Sequence, residues 1–149
     1  MSENPMQVLL YQQRALEERM TELQTTMGML QETLNSYTSS KLVLEELATK
    51  EVDEPMLINI GGAVFIEAKV VSNDRVIRGV GSGVRIEQSL EDAKETVSQR
   101  VEELNQYLTK LRQDYQNTVD QATLVNQQAQ QLLAQAQAQS QAAQEPKGE

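Results

Sequence analysis

PMLINIGGAVFIEAKVVSNDRVIRGVGSGVRIEQS, residues 55–89, is the part of the chain from which the rest is best read. Apolar residues alternate with other types through Val64, Ile66, Ala68 and Val70, while Glu67 and Lys69 face the other way. This is the period-2 pattern of a strand with one covered face. Four short strands fit, near residues 56–60, 63–71, 75–79 and 83–87. Gly61-Gly62, Ser72-Asn73-Asp74 and the cluster Gly81-Ser82-Gly83 join them, all residue types that tolerate the positive φ of tight turns. The spacing predicts two consecutive hairpins.

Two hairpins containing one Phe cannot build an independent core, because isolated hairpins are marginal in water. The free ladder edges are therefore expected to pair with strands of other chains, which makes the hairpins an assembly surface. Leu57, Ile58, Ile60, Val64, Phe65, Ile66, Val70, Val76, Ile77, Val80, Val84 and Ile86 are the residues expected to form it. Gly61, Gly62, Gly79, Gly81 and Gly83 are the expected turn glycines.

The flanks follow another period. Leu9, Leu16, Leu23, Leu30, Tyr37 and Leu44 recur every seventh residue, with Met6, Gln13, Met20, Met27, Leu34, Lys41 and Ala48 as companions. A strict seven-residue repeat keeps one narrow stripe facing a partner helix, the mark of a coiled coil. Asn4 is placed to cap this helix and Pro5 to begin it, while Pro55 stops what precedes it. After the strands the seam returns at Leu90, Val97, Leu104, Leu111, Thr118, Val125 and Leu132, with Val101, Leu108, Tyr115, Ala122, Ala129 and Ala136 as the second position. Ser89 followed by Glu91 and Asp92 suits the start of that helix.

The expected fold is α+β: a long antiparallel two-helix coiled coil flanking two consecutive β-hairpins that oligomerise. Residues 1–50 form the first helix, 51–88 the double hairpin, and 89–149 the second helix with a Gln/Ala-rich tail that frays past about residue 140. If the helices run antiparallel, both chain ends meet at one tip. There, from Gln121 to Gln144, no charged residue occurs. Met6, Val8, Leu9, Leu10, Tyr11, Leu124, Val125, Leu132 and Leu133 are expected near that tip, where an uncharged, apolar-flecked end can touch other apolar surfaces.

Composition removes several classes of function. The 149 residues carry a net charge of −9, one Phe and no Trp, which speaks against both a large core and phosphate-backbone binding. Without Cys or His there is no disulfide, thiol nucleophile, imidazole base or ordinary zinc site. No catalytic residue, cofactor or metal ligand is expected. The segment Gly79-Val80-Gly81-Ser82-Gly83 lacks the GxGxxG spacing and a following Lys-Ser/Thr, and it leads into a strand, so it is read as hairpin geometry. The acidic pairs at 17–18, 45–46, 91–92 and 102–103 are read as solvated helix faces. The N-terminus has neither a basic n-region nor 18 consecutive apolar residues, so a cytoplasmic protein without a membrane span is expected.

The arrangement helix, two hairpins, helix, with MLINIGGAVFIEAKVV followed by RVIRGVGSGVRIEQS, closely resembles the α-class subunit of prefoldin, also called GimC, in its archaeal type. The resemblance falls on Gly61, Gly62, Phe65, Glu67, Lys69, Gly79, Gly81, Gly83, Val84 and Glu87, and two hairpins point to the α class. It implies a heterohexamer of two α and four β subunits whose hairpins pool into a β-barrel platform. It further implies a cochaperone that holds unfolded polypeptides at the coiled-coil tips and passes them to a group II chaperonin without ATP. The Gln/Ala-rich tail departs from the family pattern, and the tip contacts are carried over only loosely.

A structural or adaptor coiled coil with one defined partner shares the heptads but does not need the glycine-patterned double hairpin. An enzyme built on the glycine cluster would be protected from heating by nucleotide. Removing residues 1–10 and 125–149 is expected to abolish client holding while the oligomer persists.

Overall fold

The computed structural model describes residues 3–144, in the order α1 (Pro5–Ala48), β1 (Pro55–Gly61), β2 (Val64–Lys69), β3 (Arg75–Gly81), β4 (Val84–Ser89) and α2 (Leu90–Gln144). The chain divides into two compact units. One comprises the described residues up to Met29 with those from Leu108 onward; the other is Leu30–Tyr107.

In the first unit the two helices pack antiparallel along the heptad seam. Leu23, Leu108, Leu111, Ala122 and Val125 are buried, and Leu108 is 2% exposed. Gln24 Nε2 donates to Tyr115 Oη at 2.9 Å across the helix pair. Thr118, the one polar residue buried at a seam position among the described residues, donates its hydroxyl to the Asp114 carbonyl at 2.8 Å, so the polar atom is satisfied inside its own helix. Asn4 begins α1 as expected, its Oδ1 accepting from the Met6 N–H at 3.0 Å. The seam stops where its partner stops: Leu132 is half-buried, whereas Ala136 is exposed because no residue of α1 remains to cover it. α2 stays helical through Gln144, so fraying is not seen at 140–144; the rest of that expectation, residues 145–149, lies outside the described residues.

The second unit joins the helices to the hairpins. Its core is small: Leu34, Met56, Val70, Leu90, Ala93, Val97 and Leu104 are buried. α1 closes with Thr49 N–H donating to the Glu46 carbonyl and Lys50 N–H to the Leu47 carbonyl, at 3.0 and 3.1 Å. These i,i+3 bonds tighten the last turn. Here the heptad reading is corrected, since Ala48 is exposed and Leu47 is half-buried instead. These are the last two residues of α1, and Leu47 lines a groove there with Met56 and Val70.

Backbone bonds fasten the bases. Asp53 N–H donates to the Val70 carbonyl at 2.8 Å, Val70 N–H to the Glu54 carbonyl at 3.1 Å, and Leu90 N–H to the Asp74 carbonyl at 2.8 Å. Asn73 Nδ2 reaches the Lys50 carbonyl at 2.9 Å, satisfying an acceptor at the end of α1. At the start of α2, Ser89 Oγ accepts from the Asp92 N–H at 3.2 Å. Ser89→Ala is expected to cost about 1 kcal/mol in urea unfolding, the usual penalty for losing a helix cap.

The four strands form two separate two-stranded antiparallel sheets, β1–β2 and β3–β4. The second is a copy of the first displaced by twenty residues. Pro55 opposes Lys69 as Arg75 opposes Ser89, Ile58 opposes Ile66 as Arg78 opposes Ile86, and both ladders bulge one residue before the turn, at Asn59/Gly61 and Gly79/Gly81. Gly61 and Gly81 at the bulges have φ of 101° and 108°. The turns are Gly62-Ala63, one residue later than the Gly61-Gly62 junction read from sequence, and Ser82-Gly83, within the cluster Gly81-Ser82-Gly83 read there. Strands β1, β3 and β4 run one or two residues longer than expected, while β2 ends at Lys69 instead of 71, where Val70 turns into the core.

Ala63 sits at φ 59°, a left-handed position natural to glycine, between the two strands of a two-residue hairpin. Ala63→Gly is therefore expected to slow hydrogen exchange of the β1–β2 amides by about twofold to fivefold, relief of roughly 0.5–1 kcal/mol of strain.

Candidate functional site

Two surfaces carry apolar residues that the chain does not cover. The first lies at the chain-terminal end of the first unit. Tyr11, Leu16, Leu124 and Val125 line a groove of about 430 Å³, with Gln12, Ala15, Gln121 and Gln128 around it. Helical spacing explains the set: Tyr11, Ala15 and Leu16 fall within i, i+4 and i+5 on α1, and Gln121, Leu124, Val125 and Gln128 recur at i, i+3, i+4 and i+7 on α2. Every polar side chain lining it is uncharged at neutral pH, so the groove offers apolar contact and amide hydrogen bonds without a fixed charge.

Burial sorts the residues expected there. Leu10, Tyr11, Leu124 and Leu133 stand exposed, Leu124 at 55%, while Met6, Val8, Leu9 and Leu132 are half-buried. Val125 is a correction: it is a buried seam residue and serves as groove wall, not as a free contact. Leu16, Ala15, Gln12, Gln121 and Gln128 were not anticipated. Leu16 was visible only as a seam leucine, and the glutamines only as low-complexity sequence.

The second surface is the pair of sheets. Leu57, Ile58, Ile60, Val64, Phe65, Ile66, Ile77, Val80, Val84 and Ile86 are all exposed, Phe65 at 58% and Ile77 at 75%, and Val76 is half-buried. Cross-strand pairing puts Ile58 and Ile66 on one face of the first hairpin, and Leu57 and Phe65 on the other. Both faces are thus apolar and wet, which a monomer has no reason to tolerate. Val70 is again a correction, because it is buried at the hairpin base and belongs to the chain's own core. Between the strands and α1 runs a further groove of about 500 Å³, lined by Val43, Leu47, Met56, Ile58, Val76 and Ile77 among others.

Among the described residues no group of three or more His, Cys, Asp or Glu side chains is placed to hold a metal ion, and no helix is long and apolar enough to cross a membrane. The acidic pairs lie on exposed helix faces, where Arg100 reaches Glu103 at 3.2 Å and Lys94 reaches Glu91 at 3.9 Å. The glycine cluster 79–83 is the bulge and turn of β3–β4 and precedes a strand.

A family model described as "Prefoldin subunit" matches residues 16–135, which span both helices and both hairpins. The chain belongs to the prefoldin family. It is similar to prefoldin subunit alpha of Methanococcoides burtonii, 30% identical over 110 residues covering 74% of this chain and 80% of that protein. It is likewise similar to prefoldin subunit alpha of Archaeoglobus fulgidus, 28% identical over 122 residues covering 82% and 84%. These relatives make this an archaeal α-class prefoldin chain. A filamentous prefoldin of Methanocaldococcus jannaschii solved by electron cryomicroscopy superposes with a TM-score of 0.60 at 22% identity, covering 77% of this chain and 95% of that one. That likeness establishes the prefoldin fold. Prefoldin membership implies a cochaperone role and a non-enzymatic family.

Proposed function

We propose that the chain is the α subunit of an ATP-independent holdase that binds unfolded polypeptides at the coiled-coil tips and transfers them to a group II chaperonin. The observation that carries this reading is the uncharged groove of Tyr11, Leu16, Leu124 and Val125 at the end of the helix pair. Apolar walls flanked by neutral amides bind many sequences weakly and none tightly, which is what a holdase requires.

The wet apolar faces of the two hairpins support assembly: two copies of this chain and four β-class subunits pool their hairpins into a β-barrel platform. Mounting several weak tips on one platform raises retention by about 10²–10⁴, because the first engagement concentrates the others. Unfolded chains are bound in preference to folded ones because they expose apolar surface. The complex works in the cytoplasm, with no cofactor and no nucleic acid; the chain's net charge of −9 disfavours a phosphate backbone. Its hairpin and tip regions correspond to residues 51–88 and to the outer ends of the 1–50 and 89–149 segments.

The test is to co-purify the chain with the β-class subunit of the same organism, measure the native mass, and follow aggregation of several unrelated denatured proteins without nucleotide. A mass of two α and four β subunits with aggregation slowed for all clients is expected. A stand-alone dimer that protects no client would support an adaptor coiled coil instead.

A further inference from the structure

Within the second unit, β3 and the two helices line a polar groove of about 320 Å³. α1 contributes Tyr37 and Ser40 to it, β3 contributes Arg78, and α2 contributes Arg100 and Glu103. The groove thus sets two arginines against one carboxylate, in a chain whose net charge is −9. Ile58 holds the place of Arg78 in the first hairpin, opposite Ile66 as Arg78 is opposite Ile86, so the hairpin frame does not require a cation there.

Several of the polar groups around the groove are already engaged. Arg100 Nη1 pairs with Glu103 at 3.2 Å, the Thr96 hydroxyl donates to the Asp92 carbonyl at 2.9 Å, and Gln99 Nε2 donates to Glu95 Oε1 at 3.5 Å. The side chains of Arg78, Tyr37 and Ser40 make no hydrogen bond or ion pair among the described residues. Arg78 is half-buried, and its Nε, like Gln88 Oε1 on the same face of the hairpin, is shielded from water without a partner. A partly buried guanidinium without a counter-charge is costly, and native proteins rarely leave one so. Because Nε is closed off, a counter-ion reaches Arg78 through its two Nη nitrogens.

We propose that this groove is a binding site for a small tetrahedral oxyanion of the phosphate type, held by Arg78 and Arg100 with the hydroxyls of Tyr37 and Ser40. Two guanidinium groups supply paired N–H donors that match oxyanion geometry, and the two hydroxyls add donors from a third element. Donors that converge from a strand and two helices surround a tetrahedral ligand, whereas a planar carboxylate is satisfied by a single fork. Glu103 opposes any anion and so sets an upper limit on affinity, while its pairing with Arg100 holds that guanidinium at the groove. The bound anion would tie the second hairpin to both helices, and because only the folded chain brings these groups together, binding would stabilise the fold. The inference does not depend on the holdase reading.

The test is equilibrium dialysis of the full chain against radiolabelled orthophosphate, with ionic strength held constant by sodium chloride. Saturable binding of one phosphate per chain is expected, displaced by sulfate and not by acetate at the same concentration. R78I writes the first hairpin's residue into the second, where the frame already accepts it, and should keep the helical circular dichroism while weakening binding about tenfold or more, the scale of a lost hydrogen bond to a charged group. Y37F/S40A, which leaves both arginines in place, should weaken it several-fold. E103Q removes the opposing carboxylate and should tighten binding several-fold, a gain that a damaged fold does not produce. Phosphate uptake that does not saturate, that acetate displaces as well as sulfate does, that stays within about twofold of the wild type in R78I or in Y37F/S40A, or that falls in E103Q would overturn the site.

Discussion

Tyr11→Ser with Leu124→Ser, introduced into the assembled complex, is expected to weaken client binding about tenfold per α arm and about a hundredfold for clients that engage both. Each side chain offers apolar area worth roughly 0.7 kcal/mol when a client covers part of it, and the two together about a factor of ten. Losses on linked arms multiply because the second engagement is intramolecular. Both residues are exposed and lie outside the heptad seam, so the fold should shift by no more than about 0.5 kcal/mol. The substitutions also improve on trimming residues 1–10 and 125–149. Trimming would remove Val125, a buried seam residue, and confuse lost grip with lost packing. The measurement is the concentration of complex that halves aggregation of a denatured client, with native mass as the control. Unchanged suppression at unchanged mass would place the grip elsewhere.

Leu108→Ala should produce the largest loss of stability of any single seam substitution. Leu108 is the largest fully buried side chain of the described residues and lies on the heptad seam of α2. Removing a buried leucine forfeits transfer energy and leaves a cavity, about 3 kcal/mol within a range of 2–5. A two-helix pack has few other layers to spread the defect. Leu133→Ala, one exposed leucine on the same helix, should cost less than about 0.5 kcal/mol. Urea unfolding of the two variants side by side checks both values. A cost below about 1 kcal/mol for Leu108→Ala would mean that the seam does not hold the helices.

Much of this architecture is legible in the residues because its two periods are so different. A seven-residue repeat sustained from Met6 to Leu44 and again from Leu90 to Leu132 leaves few alternatives to a coiled coil, and the buried helix residues fall on it, Ala93 apart. Pro55 and Ser89 mark where the period changes. The pattern fails at its ends, at Ala48 and Ala136, because a heptad says nothing about whether the partner helix is still present. The strand limits move by a residue or two for a similar reason: the bulges at Gly61 and Gly81 carry β1 and β3 to the turn glycines, and period-2 counting does not register a bulge.

The twenty-residue duplication was open to a self-comparison of the sequence, since Gly61, Val64, Ile66 and Glu67 return as Gly81, Val84, Ile86 and Glu87. The turn glycines differ between the copies, Gly62-Ala63 in one and Ser82-Gly83 in the other, which masks the repeat at its most conspicuous residues. The tip was legible as composition, but not as a groove. Gln12, Gln121 and Gln128 resemble every other glutamine in the segment, and only the packing of α1 against α2 brings these three beside Tyr11 and Leu124. The isolated Arg78 and Gln88 were not visible at all, because an unsatisfied atom is a property of three-dimensional neighbours.

A photo-crosslinking amino acid placed at 124 and, separately, at 107 of the assembled complex tests the central claim most directly. Leu124 and Tyr107 are side chains of α2 with nearly equal exposure, 55% and 50%, so accessibility alone cannot separate them. A denatured client should crosslink strongly from 124 and hardly at all from 107. Equal yields from the two positions would contradict a grip that resides at the tip.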